Sequence, residues 1–500
     1  MTSIVTLKAS DGSQIRFVDE RKASGGLKDV FFSPDRDYVV AFYRDKMDVV
    51  GRERLALITG TYRERIFNQE GGDYLKKLFV WPTATVEYDN RTGVVVPFFD
   101  KDFFFRYGSR DDDRLLGIRN REKEGKWFAS AKNRAKFLDP RELGDGMTQL
   151  KTCLMIARAV RRLHTAGLAH SDLSYKNVLL DPSSGRACLI DLDGLVVPGK
   201  FPPDVAGTPD FFAPEVVATA KLDRHDPQRF LPSRLTDQHA LAVLIYMNLL
   251  FRHPLKGDKV HDMNDTQRDE DLAMGERALF IEHPADPSNR VRLAGVSPAE
   301  LPWKDTAKLP YTITGPYLSS LIQDAFIDGL HRPDSRPTAD QWESALVKTM
   351  DLLQPCQNPN CLQKWFVFDN STKPRCPHCG TPFRGKLPIL NLYSSYREGN
   401  FRPDNHRLMV YSGQSVFSWH ANRLVFPNER LSSAQAKRVG YFVQHGGEWY
   451  FVNETLPGLR DVRNNLAVPP GGKVKLEDGA QLLFSEENGG RLCAVQMAGQ

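Results

Sequence analysis

A chain of 500 residues is too long for a single hydrophobic core and predicts two to four domains. Its 41% hydrophobic and 26% charged residues exclude a disordered chain. The formal charge of +5, from 67 basic and 62 acidic residues without a dense basic block, leaves no footprint for nucleic acid, and the locally basic stretch 119–134 reads as a solvated insert. No apolar run reaches about 18 residues and the first residues lack a basic stretch followed by an apolar one, so neither a membrane span nor a signal peptide is expected. Seven cysteines, four of them between Cys356 and Cys379, argue for metal binding in a reducing compartment, and the expected location is cytoplasmic.

In chain order, residues 1–45 alternate short apolar runs with Asp-Gly, Gly-Gly and Pro-Asp turns, which predicts hairpin-linked strands. Gly25 and Gly26, followed by Lys28 and Val30, sit between two of them, where bare backbone N–H groups can approach phosphates, although a Gly-Gly pair alone is more often a turn. Residues 52–67 place Leu55, Ile58, Tyr62 and Ile66 on one helical face. Strands at 85–88 and 94–98 around an Asn90–Gly93 turn complete a sheet-rich lobe, 1–100. Residues 100–146 read as helix pieces and loop.

A firm helix, 150–164, is stopped by Gly167, and the stretch His170–Gly194 follows. Apolar runs at 178–180 and 188–190, joined by the turn Asp181–Gly185, predict a hairpin that brings Asp172 and Asn177, before the first strand, to the same end as Asp191, after the second. Asp172 suits a base for a hydroxyl proton, Asn177 and Asp191 offer hard oxygens to Mg²⁺, and Lys176 can meet a transferring phosphate; the set points to phosphoryl transfer. A buried central helix is expected over 240–251, one near 271–280, and amphipathic helices at 317–330 and 338–350. This region, 101–353, ends near Leu353.

On these motifs, residues 10–350 resemble the eukaryotic-like protein kinase family. His170–Asn177 is similar to its catalytic loop, Asp191-Leu192-Asp193 stands where a metal-binding Asp-Phe-Gly triplet would, and Gly207-Thr208-Pro209 with Ala213-Pro214-Glu215 resembles the end of the activation segment. Asp237 resembles the Asp that opens the large lobe's central helix, and Arg336 the Arg that pairs with the Glu of Ala-Pro-Glu. The resemblance implies an α+β bilobal fold and an ATP- and Mg²⁺- (or Mn²⁺-) dependent serine/threonine protein kinase, a transferase acting on a protein substrate; the alternative is a pseudokinase scaffold that docks partners.

Several positions depart from the family pattern. Ser171 replaces the Arg before the catalytic Asp, and Asp193 replaces the glycine of the triplet, where solvent exposure or a helical cap is the plainer expectation than a second metal ligand. The strand Val39–Tyr43 lacks the phosphate-binding lysine. Lys28, at a glycine position of the glycine-rich loop, is the expected substitute, with Lys46, Arg44 or no lysine as alternatives. Glu64, in preference to Glu53, is the candidate small-lobe glutamate, with a plain exposed helix glutamate the stronger alternative, and Pro97, Phe98 and Phe99 form the hinge whose backbone would hold adenine.

Cys356-x4-Cys361 and Cys376-x2-Cys379 have the spacing of a structural zinc ribbon, 354–385, closed by four thiolates. Alternating strands from 386 to 500 predict an all-β sandwich that resembles a degenerate forkhead-associated domain; plain protein docking is favoured over phosphopeptide reading because the family's His and Gly-Arg positions are missing. The whole arrangement resembles bacterial kinases of stress or tellurite-resistance signalling modules, and implies a von Willebrand factor A protein and a PP2C-type phosphatase as partners.

Overall fold

The computed structural model describes residues 3–21, 23–24, 27–197, 207–223, 226–368, 374–397 and 399–499. The chain divides into two compact units, one formed by residues 1–144, 148–311 and 320–343, the other by 145–147, 312–319 and 344–500.

The first unit opens with a hairpin of β1 (Ile4–Lys8) and β2 (Gln14–Val18). An antiparallel sheet follows, of β3 (Ala23–Ser24), β4 (Lys28–Phe32), β5 (Tyr38–Tyr43), β6 (Ala84–Tyr88) and β7 (Arg91–Pro97), in the order β3-β4-β5-β7-β6. Phe17 of the hairpin packs with Phe31, Val40, Phe42, Val86 and Val95 of the sheet, so hairpin and sheet share one core. The turn between β6 and β7 is tighter than expected. Asp89 and Asn90, at φ 50° and 57°, make it by themselves, and Arg91 is already in the strand.

Between β5 and β6 lie α1 (Val49–Leu57), capped by Asp48, whose carboxylate accepts the Gly51 N–H, then a π-helical segment Ile58–Tyr62, α2 (Arg63–Phe67) and α3 (Gly72–Leu75). Residues 101–142 are 3₁₀ turns and loop with one short helix, α4 (Ala131–Lys136). The 20-residue α5 (Gly146–Thr165) ends before Gly167, which adopts φ 86°. The two-stranded β8 (Val178–Asp181) and β9 (Arg186–Leu189) come next.

The remaining helices are α6 (Pro214–Thr219), α7 (Arg234–Leu250), α8 (Thr266–Met274), α9 (Pro316–Gln323) and α10 (Ala339–Met350). A capping box of Ser233 and Thr236 starts α7, which is buried along nearly its whole length, as its apolar sequence requires. The helix expected at 271–280 lies earlier, because Asp265 caps its start through Arg268 N–H and Gly275 ends it.

In the second unit, β10 (Leu353–Pro355) pairs with β11 (Trp365–Val367). Beyond them run β12 (Leu387–Arg397), β13 (Asn400–Met409), β14 (Ser415–Phe417), the short α11 (Ser418–Ala421), β15 (Arg438–His445), β16 (Glu448–Asn453), β17 (Arg460–Asp461), β18 (Leu466–Ala467), β19 (Lys473–Lys475), β20 (Gln481–Leu483) and β21 (Arg491–Ala498). They form a six-stranded sheet, β13-β12-β21-β20-β17-β18, and a four-stranded one, β14-β15-β16-β19. Leu390, Leu482 and Val495 of the first sheet share a single cluster with Val416, Phe442 and Phe451 of the second.

The cysteine segment does not stand as a module by itself. Cys361 and Cys376 are buried in one cluster with Leu352, Phe366, Leu387, Ile389 and Met409, and Tyr317 packs against it. That shared core accounts for 312–319 and the end of α10 belonging to the second unit, against the boundary expected near Leu353.

Candidate functional site

The loop His170–Asn177 is held by α7. Asp237, in the first turn of that helix and 2% exposed, accepts the His170 N–H at 2.7 Å and meets His164 Nε2 at 3.1 Å. Ser171 takes a left-handed φ of 68°, and its hydroxyl donates to the Gly194 carbonyl. Further along, Arg336 grips Glu215 with two bonds of 2.8 and 2.7 Å, the pairing expected from the resemblance.

Asp172 and Asn177 meet: the Asn177 amide donates to Asp172 Oδ2 and to the Asp172 carbonyl, both at 2.8 Å. The other carboxylate oxygen, Oδ1, accepts the backbone N–H of Thr208 at 2.9 Å. Both oxygens of the expected base are therefore engaged by the chain itself. Lys176 is exposed.

Asp191 adopts a left-handed φ of 60° at the turn after β9, and Lys28 reaches it from β4 across 163 positions of sequence. The Lys28 ammonium donates to Asp191 Oδ1 at 2.7 Å and to both oxygens of Asp193 at 2.9 and 2.8 Å. Asp193 is not the exposed or capping carboxylate expected. Its side chain is 4% exposed and also accepts the Tyr43 hydroxyl. Register explains this, because Lys28 and Tyr43 are directly paired across β4 and β5 and point the same way. Burial disfavours the Lys28 ammonium, but Asp193 and Asp191 outweigh it and hold its pKa above the ordinary lysine value. Asp193 stays below the usual carboxylate range against its own burial, chiefly through Lys28, while burial and Asp193 push Tyr43 up.

Arg44, an alternative cation, bonds Asp29 instead, at 3.2 Å; Asp29 alternates with Lys28 along β4 and so faces away from it. Glu64 and Glu53 are both exposed, and neither lines the cleft. The expectation that Glu64 partners the lysine is thus corrected. The π segment 58–62 adds a residue to a turn and rotates α2 about the helix axis. Gly25 and Gly26 lie outside the described residues.

Lys28, Asn177, Asp191 and Asp193 line one cleft of about 1800 Å³, with Val30 and Ala41 on the sheet side and Ile190 and Leu192 opposite, whereas Asp172 lines a separate small pocket with Thr208. Pro97, Phe98 and Phe99 border it, and the rings of Phe98, Phe99 and Phe104 lie nearly parallel with centroids 5.0 to 5.7 Å apart. The hinge is poorer in donors than expected: Pro97 has no N–H, and Phe98 N–H is taken by the Asp37 carbonyl. A buried group unread in the sequence adjoins it. Lys123 pairs with Glu142 at 2.9 Å and Asp181 at 3.2 Å, all three below 10% exposure, so the insert at 101–142 is tied to the end of β8.

In the second unit the four cysteine sulfurs lie within 4.8 Å of one another, with Cys356 to Cys379 at 3.5 Å and Cys361 to Cys376 at 3.9 Å. Tetrahedral Zn–S bonds of about 2.3 Å separate sulfurs by about 3.8 Å, so the donor set fits such an ion. The loop 431–436 closes on itself, with Ser432 N–H bonded to Gln435 Oε1 and Gln435 N–H to the Ser432 hydroxyl. Trp449 is buried core.

Residues 123–344 match the family model described as the protein kinase domain. A stretch of 106 residues is 35% identical to death-associated protein kinase dapk-1 of Caenorhabditis elegans, covering 21% of this chain and 7% of that protein. A stretch of 76 residues is 38% identical to a dual serine/threonine and tyrosine protein kinase of Gallus gallus, covering 15% and 8%. The chain thus spans a small fraction of these relatives. Among solved structures it is similar to ROP2 from Toxoplasma gondii, described as a virulence factor with a protein-kinase fold and no enzymatic activity, with 14% identity, a TM-score of 0.39, and coverage of 70% of this chain and 84% of that one.

The chain carries a eukaryotic-like protein-kinase-fold domain followed by a β-rich region. The expectation of an active serine/threonine kinase, a transferase, is corrected to what these findings support, a protein-kinase-fold domain, because a fold does not by itself bring a reaction with it. These comparisons give no support to the bacterial tellurite-resistance setting or to the forkhead-associated reading. Among the described residues no helix is long and apolar enough to cross a membrane.

Proposed function

We propose that the chain is a kinase-fold scaffold that holds a nucleotide in the cleft and docks protein partners without transferring phosphate. The observation that carries this reading is the engagement of both reactive carboxylate groups by the chain's own donors: Asp172 by Thr208 and Asn177, and Asp191 with Asp193 by Lys28. A hydrogen bond accepted at each Asp172 oxygen lowers its basicity and fixes its orientation toward Asn177 and Thr208, which weakens it as a base for a hydroxyl proton.

Nucleotide phosphates would meet Lys28, the cleft-wall cation beside Asp191 and Asp193, while Val30, Ala41 and Ile190 give the base an apolar slot. Mg²⁺, if bound, would supply charge neutralisation at the phosphates, and the oxygen donors that fit it are those of Asn177, Asp191 and Asp193. Structural Zn²⁺ on Cys356, Cys361, Cys376 and Cys379 belongs to the same reading, as a closed all-thiolate site without an open position. The partner class is protein; the von Willebrand factor A and PP2C proteins are named by resemblance alone.

The test is a titration of ATP, with and without Mg²⁺, into wild type and Lys28→Ala, beside a ³²P-transfer assay on the same samples. Saturable binding weakened at least tenfold in Lys28→Ala, with no transfer, is the expected result. Phosphate incorporation by wild type that disappears in Asp172→Ala would overturn the scaffold reading.

A further inference from the structure

A second cavity, of about 350 Å³, lies against the hinge in the same unit and shares Val80, Pro97, Phe98 and Phe99 with the cleft as a common wall. Its floor is a triad of rings, Phe67, Phe79 and Trp81, with centroids 5.6 to 6.2 Å apart and interplanar angles of 73° to 89°. Trp81 is fixed there by an Nε1–H bond to the Ile58 carbonyl at 2.9 Å. Rings meeting edge to face close their faces on one another, so the floor offers apolar surface and little room to stack a base.

The lining is strongly cationic. Arg63, Lys76, Lys77 and Arg186 stand against one carboxylate, Asp100. Arg186 is committed to Asp100 and Asp102, and Lys76 to Asp73. Arg63 and Lys77 form no ion pair within 4.0 Å among the described residues and act only at longer range, on Asp11 and Asp73. An apolar floor of this volume accepts one or two aliphatic side chains, and two cations without a close carboxylate at its edge select carboxylates beside them.

We infer that this cavity is the docking site for an acidic segment of a partner protein, anchored by an aliphatic side chain on the ring floor with its carboxylates against Arg63 and Lys77. The inference rests on the scaffold reading for its biological sense but not for its test. The segment's affinity is strongly salt-dependent, because the cations are near solvent.

The experiment uses the full chain and a fluorescein-labelled octapeptide of alternating glutamate and leucine, read by anisotropy, with the matching glutamine-leucine peptide and a single-stranded oligonucleotide as competitors. The glutamate peptide is expected to bind saturably, at least tenfold more weakly at 300 than at 50 mM NaCl as an order-of-magnitude effect, and at least tenfold more weakly in Arg63→Glu/Lys77→Glu. Lys437→Glu/Lys364→Glu, far from the cavity in sequence and equal in charge change, is expected to leave binding within twofold. Equal binding of the glutamine peptide, affinity untouched by the first double reversal, an equal loss in the second, or displacement by the oligonucleotide at equal concentration would each overturn the proposal. A thermal melt of each variant separates unfolding from loss of docking, and for a misfolded double variant Lys77→Gln serves instead. None of these readouts depends on whether phosphate is transferred.

Discussion

Lys28 is the residue on which the cleft turns. One ammonium serves two carboxylates, and one of them, Asp193, is buried; removing the cation leaves Asp193 with Tyr43 alone. Lys28→Met is expected to cost about 3 kcal/mol of stability, the scale of breaking a buried pair by removing one partner. A divalent ion can then occupy the freed carboxylates, so Mg²⁺ raises the melting temperature of Lys28→Met but not of wild type, a difference differential scanning fluorimetry reads directly. Asp172, Asn177, Asp191 and Lys28 were legible in sequence because each follows from local spacing or from the missing strand lysine. Asp193 and Tyr43 were not, since their burial depends on a contact between positions 150 residues apart.

Elements placed the loop and also misplaced one expectation. The strands of the first sheet were legible from alternation, and α7 from its apolar run, whereas the π segment within 49–67 has no signal in a four-residue periodicity and sent Glu64 to solvent. The debt of loop 170–177 to α7 is testable at Asp237. Asp237→Ala orphans the His170 N–H and is expected to cost about 2 kcal/mol, with amide exchange accelerated in 170–177 ahead of the rest of the unit.

A second element-scale device ends α10, where Asp351 accepts from His406 Nε2 at 2.6 Å and His420 Nε2 at 3.1 Å, with Arg491 also acting on His406. Burial depresses His406 despite the pull of Asp351, so the unfolded chain binds that proton more readily. Stability is therefore complete above the free histidine value of about 6.5 and declines as pH falls toward the lower folded pKa. Asp351, held low by the two histidines against its burial, keeps its own contribution until pH falls through a folded pKa below the ordinary carboxylate range. Unfolding free energies from urea titrations between pH 7.5 and 5 are expected to fall by at most about 1.4 kcal/mol per pH unit for this proton, and His406→Gln to flatten that slope.

At the scale of the whole molecule, the chain has two units with separate cores, and the four clustered cysteines, Cys356, Cys361, Cys376 and Cys379, belong to the second. Length allowed two to four domains, and the boundary was not readable, because Tyr317 joins a core whose other members lie beyond residue 350. Chelation by a zinc-selective agent, or Cys376→Ser, is expected to lower the unfolding transition of the second unit by 10 °C or more as an order-of-magnitude effect, leaving that of the first unchanged. A single common shift in calorimetry would count against it.

The hinge has a wider consequence than holding a base. Phe98 and Phe99 line a cavity on either side, so a ligand that displaces either ring would change the work of filling the other. Thermodynamic linkage makes the effect reciprocal: if ATP tightens a docked segment by some factor, the segment tightens ATP by the same factor. The cellular adenylate level would then be a message the scaffold reads, with occupancy of the partner as its output and no chemistry in between.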